Sequence, residues 1–299
     1  MVKKPYVALF ISIVSVSFAA IFIVSAEAPP LTMAFYRLLF TTLLVLPFVI
    51  FNKKIRREVS SLPSRDFVFM AVIGVILAVH FAFWISSLEK TSVASSVILV
   101  TAHPVLVTPL AYMLFKEKPS MVNVAGITIS VSGVSVLVLG NYGLQSSTLE
   151  GNILAILGGV AAGLYILGGR KMRRTASTFC YAFVVYAVAS ISLLVMCIAF
   201  SSPLRGVSVK DYGIIFLMAL VSGMFGHTLY NYSLRYIRAS LASVSLLGEP
   251  LGSALLALVI PWIHQVPTIY TVGGGVMVIA GIYMTSRNQE LEMVSNVRV

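Results

Sequence analysis

Acidic residues are scarce. Ten Asp and Glu stand against 21 Lys and Arg in 299 residues, and charged types together make up only 10% of the chain, well below the roughly 25% of soluble domains. That excludes an ordinary water-exposed surface, and 59% hydrophobic residues with a mean hydropathy of +0.97 point to a polytopic membrane protein. Cysteine is nearly lacking. Cys180 and Cys197 lie 17 residues apart in one apolar run, on the order of 25 Å along a helix, which excludes a bond between them and leaves them as apolar fillers. Long polar stretches are missing as well, so a receptor with a sizeable extramembrane domain is excluded. There is no His-Glu-x-x-His, no acidic pair inside an apolar run and no carbonyl-filter motif, which argues against an intramembrane enzyme and against a channel. No catalytic residue, cofactor or metal is expected.

What the chain does have is long apolar runs. A window of about 20 residues reads ten spans, at 6–26, 32–51, 66–88, 91–115, 120–140, 150–169, 177–200, 211–234, 239–261 and 267–286. Lys3, Lys4 and Ala26-Glu-Ala28 bracket the first run in the manner of a secretory signal. The run exceeds the usual 7 to 15 apolar residues of a signal core, so it is read as a retained span. Of the 21 basic residues, 17 fall at the N-terminus and on alternate connections, among them Lys53, Lys54, Arg56, Arg57, Lys116, Lys118, Arg170, Arg173, Arg174, Arg235 and Arg238. The positive-inside rule then places both termini in the cytoplasm, and the basic charge reads as a topology signal and a headgroup contact, not a nucleic-acid footprint. Asp66 and Asp211 each open the third span of a half and are read as helix N-caps.

The ninth span carries Glu249 beside Pro250 near its middle. A carboxylate there costs about 2.5 to 3.5 kcal/mol on insertion scales, so it is expected to face a protein interior or an aqueous cavity. Proline displaces the carbonyl four residues back, which predicts a kink with free acceptors at Leu246 and, by the same rule, at Val100 before Pro104. At an offset of 146 residues His103-Pro104 matches Glu249-Pro250, Trp84 matches Tyr230, Ser87 matches Ser233 and Leu88 matches Leu234. With two residues inserted after Pro250, Pro119 matches Pro267, Gly126 matches Gly274 and Gly133 matches Gly281. The chain is thus read as two halves, 1–145 and 146–299. With five spans each they must be inverted relative to one another, around a central cavity, as in secondary transporters.

The ten spans, the duplicated halves, the two central prolines and Phe115-Lys-Glu-Lys-Pro119 resemble the EamA-type branch of the drug/metabolite transporter superfamily over essentially the whole chain. Arg37 in Ala34-Phe-Tyr-Arg-Leu38 is similar to that family's second-span arginine, and Glu117 to the glutamate after its fourth span. The resemblance implies export of amino acids, other small metabolites or drugs, with sugar-phosphate or nucleotide-sugar carriage as the related alternative. Ile263-His264-Gln265 departs from the acidic loop usual at that place, so no loop role carries over.

Candidate cavity residues are His80 and Trp84, four apart on one helical face, and Tyr230 and Asn231, which with His227 form the corresponding set in the eighth span. His103 and Glu249 join them, and together they favour zwitterionic, cationic or aromatic solutes. Each also has a structural reading as a helix-to-helix bond or a space filler. Arg37 lies near the outer end of its span, where its stem could snorkel outward; the competing role is gating or capture of a substrate carboxylate. Pro104 and Pro250 are the expected hinges, Glu249 the expected site of any proton coupling, and His103 its expected neighbour. The cavity is expected to be lined by the first, third, fourth, sixth, eighth and ninth spans, with the fifth and tenth peripheral. The expected setting is the cytoplasmic membrane, as a monomer or homodimer, with a small-molecule substrate and the lipid bilayer as partners.

Overall fold

The structure, a computed structural model, describes residues 3–91, 93–142, 148–260 and 268–297. Pro267 and the stretch Ile263-His264-Gln265 lie outside the described residues. The elements are α1 (Lys3–Ser25), α2 (Pro30–Phe51), α3 (Lys53–Ser60), α4 (Ser64–Lys90), α5 (Val93–Thr101), α6 (Pro104–Phe115), α7 (Met121–Tyr142), α8 (Leu149–Met172), α9 (Thr178–Ala199), α10 (Val209–Met218), a π-helical segment Ala219–Thr228, α11 (Leu229–Ser233), α12 (Ala239–Ser245), α13 (Gly248–Val259) and α14 (Ile269–Val297). They make ten helices long and apolar enough to cross a membrane. The apolar runs form helices because in hydrocarbon every backbone donor needs an acceptor within its own segment.

The fourth and ninth spans are broken rather than kinked. Pro104 is the first residue of α6, where a missing N–H costs nothing and its fixed φ suits a helix start. Pro250 is the third residue of α13, still within the turn whose amides have no intrahelical acceptor. The predicted free acceptor at Leu246 is corrected: the chain tightens there, and the Glu249 N–H donates to the Leu246 carbonyl at 2.9 Å. The Val100 carbonyl packs against α8, 2.9 Å from where a Cβ on Gly159 would stand. The N-cap reading of the two aspartates is also corrected. Ser208 caps α10, accepting from the Asp211 N–H at 3.0 Å and donating to its carboxylate at 2.9 Å. Helix α4 begins after Pro63, so each aspartate is a third helical residue that favours the positive end of the dipole.

The eighth span departs from its repeat mate. Trp84 lies eighteen residues beyond Asp66, whereas Tyr230 lies nineteen beyond Asp211. Helix α4 is continuous; the extra residue in the second half is absorbed by the π segment, whose wider turn takes one more residue per hydrogen-bonded ring. The Thr228 hydroxyl donates to the Gly223 carbonyl five residues back, at 3.2 Å.

Helices pair across the two halves: α7 with α14 and α2 with α9 as repeat counterparts, while the first span of each half packs on the third of the other, α1 on the π segment and α11 and α8 on α4. The α7–α14 pair is peripheral and close. A Cβ on Gly126 would stand 2.7 Å from the Gly281 carbonyl, and one on Gly133 2.7 Å from the Gly274 carbonyl. The glycines with seven-residue spacing therefore serve the contact between the repeats. Because the opposing atoms are backbone, Gly133→Val must separate the helices. We expect a loss of about 1–3 kcal/mol of stability, read as a lower unfolding midpoint in detergent. Gly213→Val, where nothing lies within 4 Å, should leave the midpoint unchanged.

Candidate functional site

The two helix breaks bring the first turn of α13 and the start of α6 to the middle of the bundle. Glu249 is in that first turn, where the helix dipole favours a negative charge. Arg37 does not snorkel. It is 3% exposed, and its guanidinium lies 4.7 Å over the ring of Phe81 in α4. The outward escape expected from its sequence position is overturned because α2 is packed between α9, α4 and the π segment, so the stem points into protein. Arg37 and Glu249 lie within electrostatic range of one another, yet they form no direct ion pair among the described residues. His80 and His227 are in the same field of Arg37.

Around this pair stands an aromatic wall. His80 stacks on Trp84 with centroids 5.9 Å apart and planes 10° apart, and its Nδ1 is 2.9 Å from the Gly158 carbonyl. His227 meets Phe81 edge-on at 5.8 Å and Tyr165 at 6.5 Å. His80, Trp84, His227 and Glu249 are part-exposed while surrounded by helices, so they border open space inside the bundle. The indole N–H of Trp84 and the hydroxyl of Tyr230 are buried with no hydrogen-bond partner among the described residues. An unmet buried donor costs about 1–3 kcal/mol, and that of Trp84 lies on the same wall as the His80 ring.

The other predicted site residues are placed differently. Tyr230 is 2% exposed and Asn231 0%. Asn231 donates to Tyr165 at 2.7 Å and Tyr186 at 3.0 Å, and accepts from Tyr165 at 3.1 Å, which ties α8, α9 and α11 together. His103 Nδ1 is 2.7 Å from the Ser243 hydroxyl, joining the break in the fourth span to α12. His103 thus contacts Ser243 and not Glu249, the neighbour expected from the repeat.

A second constellation, outside the predicted set, closes the end of the bundle where Lys53, Lys116, Arg170 and Arg235 lie, the basic end. Glu117 is buried just beyond α6, and one of its oxygens accepts from Arg170 Nε at 2.9 Å and Nη2 at 2.8 Å. The other accepts the Ala239 N–H at the start of α12, at 3.0 Å. Arg170 also donates to the carbonyls of Leu234 and Arg235 at 2.8 and 2.9 Å. Beside it, Arg173 donates to the carbonyls of Asn231 at 2.9 Å and of Ala176, and to Thr178 at 2.6 Å. Burial, with Arg235 nearby, pushes the Arg173 guanidinium down to about 10, so it keeps its charge at neutral pH. These bonds knot the ends of the fourth, sixth and eighth spans to the start of the ninth. Along the same end α12 packs on α6 and α8; at the opposite end α5 leans on α8 and α7, and α13 on α1 and α14. The basic charge of Arg170 and Arg173 signals topology in the sequence, and only the fold shows that both are bonded inside the protein, Arg173 buried and Arg170 partly so.

Glu117→Gln keeps the side chain's size and an acceptor for Ala239 but leaves Arg170 buried without its counter-charge. Truncating one partner of a buried pair costs about 3–5 kcal/mol, enough to move a two-state equilibrium by more than a hundredfold. We expect spin labels at Lys118 and Tyr236 to report a wider basic end in the variant; an unchanged distance distribution would show that the knot has no part in opening.

The model of the EamA-like transporter family matches residues 4–139 and again 149–287. A protein of Archaeoglobus fulgidus, named only as an uncharacterized transporter, is 25% identical over 279 residues, covering 91% of this chain and 93% of its own length. The uncharacterized transporter YyaM of Bacillus subtilis is 22% identical over 262 residues, 86% of this chain and 84% of its own. A crystal structure at 19% identity superposes with a TM-score of 0.78 over 97% of this chain and 99% of that one, a likeness of fold. Family model, relatives and ten spans agree: the chain belongs to the EamA-like transporter family of the drug/metabolite transporter superfamily, and it is a multi-pass membrane transporter built on two five-helix repeats.

Proposed function

We propose that the protein is a secondary active exporter of small zwitterionic metabolites such as amino acids, working by alternating access in the cytoplasmic membrane. The observation that carries this reading is the pair Arg37 and Glu249: opposite charges inside one bundle, within range but not bonded to each other. A solute carboxylate fits the guanidinium fork and a solute amine fits Glu249. His80 and Trp84 offer an apolar, polarisable wall to the rest of the molecule, and Trp84 supplies an unmet donor.

The basic end is cytoplasmic on the positive-inside rule. The Glu117–Arg170 knot, which ties four spans together at the basic end, supports an arrangement closed to the cytoplasm. Release of the Glu117 knot, with bending at Pro104 and Pro250, is then the step that exposes the site to the cytoplasm. A sugar-phosphate carrier is disfavoured, since a phosphate dianion entering this site meets Glu249 with Arg37 as its one deep cation.

Purified protein in liposomes tests the reading with a panel of labelled amino acids. Saturable flux that unlabelled zwitterions compete away supports it; flux competed only by phosphorylated sugars, or ohmic current, would sink it.

A further inference from the structure

We propose that the groove where the second span meets α3 is a binding site for an anionic glycerophospholipid. The groove has a volume of about 550 Å³ and is lined by Pro47, Phe48, Phe51, Asn52 and Lys53. Its walls change character at the residue where the span ends. Phe51, the last residue of α2, is 83% exposed, and the next residues are Asn52 and Lys53. That is the order of an acyl chain followed by a phosphate.

The polar side of the site is built rather than loose. The Asn52 side chain caps α3, accepting from the amides of Lys54 at 3.0 Å and Ile55 at 3.3 Å. Ile55 is buried with Val49 and Cys180 and flanked by Phe179 and Phe183, which fastens α3 to the start of α9. Phe48 stacks on Phe179 with centroids 4.3 Å apart and planes 7° apart, so the apolar wall is held too. Glu58, the single acid of α3, is half-buried and accepts the Ser177 N–H at 2.6 Å. Lys53, Lys54, Arg56 and Arg57 remain exposed, with no carboxylate partner among the described residues. Arg56 donates to the Ile50 carbonyl at 3.2 Å, which holds its guanidinium beside the last turn of α2, next to the groove. Four cations on one short docked helix, above an aromatic groove at membrane depth, complement a phosphodiester headgroup carrying one negative charge with two acyl chains below it.

The measurement is the unfolding midpoint of the full-length protein in nanodiscs of phosphatidylcholine, titrated with phosphatidylglycerol. Phosphatidylglycerol should raise the midpoint of the wild type, and the concentration giving half the effect should rise about fivefold per neutralised residue in Lys53→Gln, Lys54→Gln and Arg57→Gln variants. Phe51→Ser, at a side chain already exposed and so neutral for folding, should weaken the response as well. The control Lys116→Gln removes the same single charge as each of these variants, from the same end of the bundle away from the groove, and should respond like wild type. Glycerol phosphate, the headgroup without chains, should give no protection. A wild type indifferent to phosphatidylglycerol, groove variants that respond as wild type does, or a control that loses as much as they do would each overturn the assignment.

Discussion

Replacing Arg37 by Gln should raise the half-saturating concentration for a zwitterionic solute by about 30-fold to several-thousand-fold. Removing one partner of a buried, hydrogen-bonded charge pair costs about 2–5 kcal/mol. The same variant should bind a decarboxylated analogue, the amine alone, almost as the wild type does, because that ligand never used the guanidinium. Arg37→Lys should recover part of the loss, since it restores the charge but not the planar fork or the face that lies on Phe81. Flux assays in liposomes with the solute and its amine analogue read both quantities. A parallel loss for the two ligands would mean that Arg37 only holds α2 against α4 and recognises nothing.

That expectation could not be reached from sequence position alone. Arg37 stands little more than one turn from the end of its apolar run, where a long side chain escapes to water, and nothing in the local pattern says which way the helix face turns. The packing of α2 between α9 and α4 decides it. By contrast the ten spans, the duplication and the two interrupted helices were legible, because bilayer thickness fixes span length and proline leaves its mark whatever surrounds it. The outcome at Pro104 and Pro250 was legible only as a disturbance. Whether a proline kinks a helix or starts a new one depends on whether the carbonyls before it find other donors, as Leu246 does.

Two further features left a signal that span-by-span reading passes over. The π segment is written in the spacing from Asp211 to Tyr230, one residue longer than from Asp66 to Trp84. Glu117 and Arg170 each sit at the polar end of a span, 53 positions apart, and read singly as topology charges. Their pairing is a tertiary fact, since the two helix ends meet only once the fourth and sixth spans have packed. Asn231 shows the converse. Its helical spacing to His227 and Tyr230 suggested a cavity face, but an amide in hydrocarbon needs several partners, and the tyrosines of α8 and α9 provide them.

Glu249→Gln should abolish uphill accumulation of solute driven by an imposed pH gradient while leaving downhill exchange measurable. The carboxylate can pair with a solute amine or carry a proton, but not both, and that exclusivity is what exchanges one cargo for the other across the membrane. Arg37 tunes the competition. With the site empty it supplies a distant counter-charge to Glu249; a solute carboxylate arriving at the guanidinium takes up that charge, and the solute's own amine then becomes the natural partner of Glu249. Gln keeps the shape and can still accept a hydrogen bond from the amine, so binding should weaken by roughly tenfold, the difference between a charged and a neutral hydrogen bond. It cannot carry the proton. In liposomes loaded with labelled amino acid, the variant should therefore show solute-for-solute exchange but no gradient-driven concentration above the level of empty liposomes. Persistent pH-driven accumulation in correctly inserted Glu249→Gln would place the coupling elsewhere, and loss of exchange together with coupling would assign Glu249 to binding alone.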